Sequence, residues 1–187
     1  ALCRGKWPDR IIIFITTLFV SVPSFVLATI LLLVFCLQLK WVGVWSTSNP
    51  NYILPVISLA MYPMAYITRL TKSSMLDVLG QDYVRTAYAK GCSKFRAVTY
   101  HALRNGLLPV ITGIGNQVGG LVAGAVTVET IFAIPGVGSM LVNAVRSSDI
   151  PEVMGPIIFI SLLVCIVNLL VDFLYAVVDP RVKLQYR

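Results

Sequence analysis

A basic segment over residues 88–109 holds the side chains best suited to chemistry in this 187-residue sequence. It reads YAKGCSKFRAVTYHALRNGLLP and contains the only histidine of the chain, His101. Phe95 could anchor a partner in an apolar pocket, and the surrounding cations could bind anionic groups. These side-chain types favour recognition of a partner surface. The cations of the segment are Lys90, Lys94, Arg96 and Arg104.

The sequence offers no set of side chains that is typical of an active site. It has no glycine-rich phosphate-binding loop with a lysine, no Cys/His pair and no Ser/His/Asp set. His101 has no Cys, Asp or Glu at metal-ligand spacing, and we expect it to make a docking or interface hydrogen bond. The chain is therefore expected to be no enzyme and to bind no cofactor or metal. Free thiols are expected at Cys3, Cys36, Cys92 and Cys165.

The composition is that of an integral membrane protein. Hydrophobic residues make up 57% of the chain and charged residues 12%, whereas soluble domains are about 45–50% apolar and about 25% charged. Such a chain has too little polar surface to cover itself in water. The net charge is +7. The positions of the basic residues along the chain indicate its orientation, because basic loops stay on the cytoplasmic side of a membrane.

Four apolar stretches are long enough to cross a membrane as helices. Each exceeds about 18 residues with few charges, which suits about 30 Å of hydrocarbon. Barrel strands need only about 10 residues in strict alternation, a pattern that these stretches lack. The sequence therefore predicts an all-α membrane protein, a bundle of four transmembrane helices in one domain over residues 1–187, with kinks at Pro23, Pro55 and Pro63. The predicted spans are residues 11–39, 52–70, 107–134 and 153–178.

The distribution of basic residues predicts the orientation of these spans. All Lys and Arg residues except Lys40 and Arg146 lie before the first span, in or beside the middle loop (residues 71–106), or after the fourth span. Since alternating spans place these three regions on one side, the positive-inside rule makes that side the cytoplasm. Trp41, Trp45 and Tyr52 then fall at the outer interface, where aromatic side chains favour the headgroup level.

Within the middle loop the sequence predicts two short helices joined by a tight turn. Asp82 is a suitable N-cap for the first helix, and Gly91 can take the left-handed conformation that ends it. Ser93 can cap the second helix. Helical spacing then predicts an apolar stripe of Phe95, Val98 and Ala102 and a basic stripe of Lys94, His101 and Arg104 on that second helix.

Three functions are compatible with such a loop. A basic loop can fix the topology and touch anionic lipid. A DNA-binding helix-turn-helix is disfavoured because spans begin within a few residues on both sides, so nucleic acid is not expected as a partner. The loop can also dock on a cytoplasmic protein, with Phe95 as the anchor. The residues by themselves leave the first and third alternatives open.

The stretch GQDYVRTAYAKGCSKFRAVTYHALRNGLLPVIT closely resembles the cytoplasmic EAA loop of permeases from ATP-binding-cassette importers. Within that group it is similar to the dipeptide/oligopeptide/nickel permease family, whose loop follows D-Y-V-x-T-A-x-A-K-G and then H-x-L-R-N-x-L-L-P. The general motif opens with Glu-Ala-Ala, where this chain has Arg85, Thr86 and Ala87. This departure and the long distance from Gly91 to Pro109 resemble the peptide and nickel subgroup.

Two further motifs extend the resemblance over nearly the whole chain. ETIFAIPGVGSMLVNAV, from Glu129, resembles the outer loop of the family, and VNLLVDFLYAVVDPRVK, from Val167, resembles its C-terminal signature. Members of the family carry additional N-terminal spans. The resemblance therefore implies the C-terminal part of a six-span permease in the bacterial cytoplasmic membrane.

The resemblance also implies partners and functional residues. The chain would be a transmembrane permease subunit of an importer for peptides or similar small solutes. Its partners would be a second homologous permease subunit, two cytoplasmic ATPase subunits, an extracytoplasmic substrate-binding protein and the lipid membrane. ATP and magnesium would be bound by the ATPase subunits. The residues expected to couple the loop to an ATPase are Arg85, Thr86, Ala87, Gly91, Lys94, Phe95 and His101.

Polar side chains inside the spans are candidates for the translocation pathway, because such groups are costly in lipid and usually face a partner or a cavity. Asn116 and Gln117 are expected to line the pathway or to form hydrogen bonds between helices. Glu129 is expected to contact cargo or a partner helix, or to cap local structure in the outer loop. Asp172 is expected to pair with a basic residue of a neighbouring helix. Small residues of the third span suit close packing: Gly115, Gly119, Gly120, Ala123 and Gly124.

A scaffold function stays open from the sequence, whereas a secondary transporter is disfavoured. A membrane scaffold would recruit a cytoplasmic partner through the basic loop without passing a solute. A secondary transporter should show repeated halves or a mid-span carboxylate, and we find neither in this sequence. The choice of cargo among dipeptides, longer peptides, nickel chelates and other small solutes is not determined by these motifs.

Overall fold

The computed structural model describes residues 5–178, with side chains described as far as residue 173. Helices dominate this range, which contains no β-strand beyond an isolated bridge between Ser46 and Asn49. The prediction of an all-α membrane protein is confirmed. Cys3, Arg4 and the cations after residue 178, which entered the thiol and orientation predictions, lie outside the described residues.

Nine α-helices follow one another along the described residues, and two π-helical segments continue them. α3, α7 and α9 are each long and apolar enough to cross a membrane. The π-helical segments are Leu32–Gln38, after α2, and Ala97–Ala102, between α5 and α6. The α-helices are α1 (Trp7–Ser21), α2 (Ser24–Leu31), α3 (Ile53–Leu79), α4 (Asp82–Ala89), α5 (Lys94–Arg96), α6 (Leu103–Gly106), α7 (Leu108–Ile131), α8 (Val137–Arg146) and α9 (Ile150–Val178).

The first predicted span is broken in the middle. α1 ends and α2 begins on either side of Val22 and Pro23, and the two helices are bent by 98°. Pro23 has no N–H to donate, and Val22 takes the extended conformation that is favoured before proline, with φ −94° and ψ 120°. The kink expected at Pro23 is thus a break between two helices, and Trp7–Ser21 with Ser24–Gln38 make one span only as a bent pair. Pro63, by contrast, lies inside α3 without ending it.

α7 lies at the centre of the bundle, in contact with α2, α3, α8 and α9. Its glycines permit two of these close approaches. A Cβ at Gly115 would overlap Val171 of α9, and one at Gly124 would lie 3.1 Å from Leu59 of α3. Gly119, in contrast, faces open space. Among the small residues predicted to permit close helix packing, Gly115 and Gly124 do so and Gly119 does not.

Two apolar clusters stabilise the bundle at opposite ends of α7. The first joins the α8 end of α7 to α2, its π-helical extension and the start of α3. The second joins the end of α3 to the middle loop. The buried members of the first are Ala28, Cys36, Leu54, Val128 and Phe132, and those of the second are Met75, Val84, Val98 and Ala102.

Candidate functional site

The middle loop turns at a glycine in the left-handed conformation. Gly91 has φ +82°. Its amide donates to the Tyr88 carbonyl at 2.9 Å, and the Cys92 amide donates to the Ala87 carbonyl at 3.1 Å. These two hydrogen bonds form the Schellman motif that ends α4. Since no atom lies within 4 Å of the position of a Cβ at Gly91, glycine is required there by the backbone conformation alone.

The two loop helices begin close to the predicted positions. Ser93 is the N-cap of the second helix, and its Oγ accepts a hydrogen bond from the Arg96 amide at 3.4 Å. Asp82 is the first residue of α4, and Gln81 occupies the N-cap position. The prediction of Asp82 as the N-cap was therefore wrong by one residue. A carboxylate in the first turn is still favourable beside the positive end of a helix dipole.

A small core folds the middle loop into a unit attached to α3. Val84 and Ala102 are fully buried, and they pack with Val98 and with Met75 of α3. The residues of this core come from both loop helices and from the preceding span. The loop is therefore expected to move with α3 rather than independently of it. A displacement applied to its tip is expected to reach the span.

Two polar contacts add to this attachment. The Ser74 hydroxyl donates to the Gly106 carbonyl at 2.7 Å in a buried position, across 32 residues of sequence. The Asn105 amide group donates to the Tyr83 hydroxyl at 3.0 Å. A Cβ at Gly106 would lie 2.5 Å from the Met75 sulfur, so the end of α3 and the start of α7 approach closely here.

Two aromatic side chains project from the folded unit. Phe95 is 79% exposed and Tyr100 is 74% exposed. Lys94 and Arg96, on either side of Phe95, are also exposed. The Tyr100 ring meets the His101 ring edge-on, with centroids 5.3 Å apart. The tip of the loop thus combines apolar anchors with cations, which suits an acidic surface containing apolar pockets.

The predicted apolar stripe of the second helix was wrong for one member. Val98 and Ala102 are buried, but Phe95 points away from them into solvent. Phe95 lies in α5, before the π-helical segment Ala97–Ala102 that contains the two buried residues. The exposed Phe95 is therefore free to act as an anchor.

The predicted coupling residues do not all reach the surface. Ala87 is buried on the inner face of α4, one turn after Val84, and therefore packs the loop rather than presenting a docking side chain. His101 is half-buried. The other five predicted residues are exposed: Arg85, Thr86, Gly91, Lys94 and Phe95.

At the other end of α7, the Glu129 carboxylate caps α8. Its Oε2 accepts hydrogen bonds from the amides of Gly138 at 2.8 Å and Ser139 at 3.1 Å. A negative charge at the N-terminus of a helix is favoured by the helix dipole. Of the two roles expected for Glu129, the structure contains the contacts of the capping role; a role in the pathway stays a prediction.

The glycines of the PGVG sequence are explained by this cap. A Cβ at Gly136 would overlap the Glu129 carboxylate, and one at Gly138 would overlap Val126 of α7. The Ser139 hydroxyl accepts a hydrogen bond from the Gly136 amide at 2.9 Å. The motif therefore permits a close approach of α8 to α7.

The two pathway candidates on α7 open on different cavities. Gln117 lines a cavity of about 360 Å³ beside the bend at Pro23, together with Tyr62 and other residues. Asn116 lines a cleft of about 370 Å³ against Tyr66 and Leu70 of α3. Glu129 lies about 18 Å further along the helix. The structure therefore does not bring the three predicted pathway residues into one site.

A polar stripe on α9 was not predicted from the sequence. This helix is the most apolar of the three single spans, and most of its side chains are not buried within the described residues. Four polar or small side chains occur on it at helical spacing and are all exposed. The spacing of these residues in the sequence could have predicted the stripe, because residues at i, i+4, i+7 and i+11 share one helix face. The stripe consists of Ser161, Cys165, Asn168 and Asp172.

No metal centre is found among the described residues, where no three His, Cys, Asp or Glu side chains are grouped to hold an ion. Cys36, Cys92 and Cys165 are free thiols there, as predicted. The Asp172 side chain makes no ion pair within the same range, and its pairing with a basic residue of a neighbouring helix stays a prediction.

The chain is similar to bacterial permeases over its whole length. It is 44% identical over 186 residues to the dipeptide transport system permease protein DppB of Bacillus subtilis, a match that covers 99% of this chain and 60% of that protein. It is 53% identical over 133 residues to the protein of the same name from Escherichia coli K12, covering 71% of this chain and 39% of that protein.

A third relative is named for a different solute. The glutathione transport system permease protein GsiC of Escherichia coli K12 is 40% identical over 184 residues, covering 98% of this chain and 60% of that protein. The chain thus spans about 60% of the length of the relatives that it matches along its whole length. Residues 1–184 match the family described as binding-protein-dependent transport system inner membrane component. The chain is a multi-pass membrane protein that belongs to this family.

Proposed function

We propose that the chain forms part of the permease subunit of an ATP-driven importer of peptides or similar small solutes. The observation that carries the proposal is the tip of the middle loop, where Phe95 and Tyr100 project beside exposed cations from a unit with its own buried core. Two relatives are named for dipeptides and one for glutathione, itself a small peptide. These names support a peptide-like cargo.

The loop transmits motion from a cytoplasmic ATPase to the spans. ATP and magnesium bind to the ATPase subunits, and their closure displaces the docked loop. Because Met75 lies in the loop core and Ser74 holds the Gly106 carbonyl, the ends of α3 and α7 move with the loop. The cavities beside Asn116 and Gln117 lie between these same helices and change shape as a result.

A second permease subunit covers the polar stripe of α9. Asn168 and Asp172 are exposed on a helix that is otherwise almost wholly apolar, and polar groups in a span face protein or water rather than hydrocarbon. The remaining partners are two ATPase subunits on the cytoplasmic side and an extracytoplasmic substrate-binding protein, in the bacterial cytoplasmic membrane.

The test is reconstitution of the full-length permease with its partner subunits in lipid vesicles. A substrate-binding protein loaded with peptide should stimulate ATP hydrolysis and drive peptide uptake. Phe95→Ala should reduce both by about tenfold or more, because hot-spot aromatic anchors contribute about 2 kcal/mol or more to an interface. Thr99→Ala, on the same loop and also exposed, is the control and should retain both activities.

The outcomes also separate transport from the scaffold alternative. Binding of ATPase subunits without stimulated hydrolysis or uptake would favour a scaffold. Full activity of Phe95→Ala would show that the loop tip is not the docking anchor.

A further inference from the structure

One turn near the end of α3 connects three parts of the molecule. Met75 packs into the core of the middle loop, and Ser74 holds the carbonyl of Gly106 before α7. Lys72, on the same turn, forms an ion pair with Asp9 of α1. Residues 72–75 of α3 therefore connect the middle loop to α3 itself, to the start of α7 and to α1.

The ion pair between α1 and α3 is well formed. Lys72 Nζ lies 2.6 Å from Asp9 Oδ1, and the two side chains are only 22% and 11% exposed. The second carboxylate oxygen of Asp9 accepts a hydrogen bond from the Gly5 amide at 3.0 Å. A partly buried, hydrogen-bonded pair of this kind fixes geometry far better than an exposed one. The other ion pair among the described residues, Arg85 with Asp82, is long at 3.8 Å and exposed.

Packing alone connects α1 to the middle loop poorly. A groove of about 620 Å³ lies between them, with Ile12 and Ile13 of α1 on one side and Val98 and Leu103 on the other. Asp9 and Lys72 lie in the wall of this groove. The ion pair thus holds α1 to the turn of α3 that supports the loop, at a place where apolar contact with the loop is incomplete.

We propose that Asp9 and Lys72 are positioning residues that make α1 move together with α3 when the middle loop is displaced. α1 leads through the bend at Pro23 into α2, and the residues of that bend line the cavity that contains Gln117. The ion pair therefore adds a second route from the loop to this cavity, in addition to α3 itself. The effect of the ion pair on transport rests on the proposed import function.

The experiment uses the full-length importer, reconstituted with all its subunits. Lys72→Met should lower the peptide taken up per ATP hydrolysed by roughly threefold or more, the range of coupling between residues in direct contact. Lys72→Arg keeps the charge and should retain the wild-type ratio. The charge swap of Asp9→Lys with Lys72→Asp should recover much of the ratio that either single change loses. Arg10→Met removes a neighbouring exposed cation of α1 and serves as the control with a wild-type ratio.

A second measurement is independent of transport. Hydrogen exchange of the amides in the first turns of α1 should quicken about threefold or more in Lys72→Met and return toward the wild-type rate in the charge swap. Unchanged exchange in Lys72→Met, or a charge swap no better than the single variants, would overturn the inference. If exchange responds as expected but the wild-type complex transports nothing, the pair still positions α1 and it is the proposed import function that fails.

Discussion

The two ends of α7 are held by different kinds of contact. At the α8 end, the Glu129 carboxylate binds the amides of Gly138 and Ser139, which lie nine and ten residues further along the chain. At the middle-loop end, the Gly106 carbonyl is held by Ser74, 32 residues away, beside a core supplied by α3 and both loop helices. The hydrogen bonds at the α8 end are therefore local, and the one at the middle-loop end reaches a different span, while both ends also pack against other helices.

This difference predicts different mechanical behaviour. The local cap links α8 to α7 within one continuous stretch of chain, and α8 also packs against α9. The long-range attachment makes α3 and α7 respond together to a force on the middle loop, since the loop cannot move without one of them. Removing the cap at the α8 end is therefore expected mainly to lower the free energy of unfolding. Removing the contact at the loop end is expected mainly to uncouple the movement of α3 from that of α7.

The largest effect is expected from removing the local cap. Glu129→Ala leaves the amides of Gly138 and Ser139 without their acceptor and should lower the free energy of unfolding by about 3 kcal/mol, the upper range for hydrogen bonds to a charged group. The measurement is thermal unfolding of the purified complex in detergent. Glu152→Ala, an exposed carboxylate in the first turn of α9, is the control. If Glu129→Ala weakens cargo binding without loss of stability, Glu129 belongs to the pathway instead.

A smaller effect is expected from the long-range contact. Ser74→Ala leaves the buried Gly106 carbonyl unpaired, which should cost about 1–2 kcal/mol of stability. Its neighbour Ser73 is exposed, so Ser73→Ala is a closely matched control. The comparison is sharpened by transport measurements, because Ser74→Ala should also reduce the peptide imported per ATP. Equal behaviour of the two serine variants would mean that this hydrogen bond does not link the spans.

Much of this architecture follows from local sequence signals. The turn at Gly91 and the cap at Ser93 were predicted because the conformation of a few residues decides them. The break at Pro23 was expected as a kink, but its angle of 98° was not. A proline removes a donor locally, whereas the direction of the next helix depends on what it packs against.

Contacts between distant residues were beyond the reach of pattern analysis. Neither Asp9 with Lys72 nor Ser74 with Gly106 has a signature in spacing, because each pair is brought together by helix packing. The burial of Ala87 was missed for a related reason. A family motif identifies residues that matter but does not say which of them face a partner and which pack inside.

The smallest change in stability is expected at the turn of the middle loop. Gly91→Ala has room for its Cβ but must keep φ at +82°, which costs about 1 kcal/mol for a residue with a side chain. Gly80→Ala is the matched control, since Gly80 ends α3 at φ −81°, a conformation open to alanine. Because the loop is attached to both α3 and α7, Gly91→Ala should disturb ATP-coupled uptake more than it disturbs unfolding, while Gly80→Ala changes neither. The measurement pairs the unfolding midpoint with the uptake rate in vesicles. Equal, small changes in both properties for the two variants would mean that the loop tolerates distortion and is no rigid link between ATPase and spans.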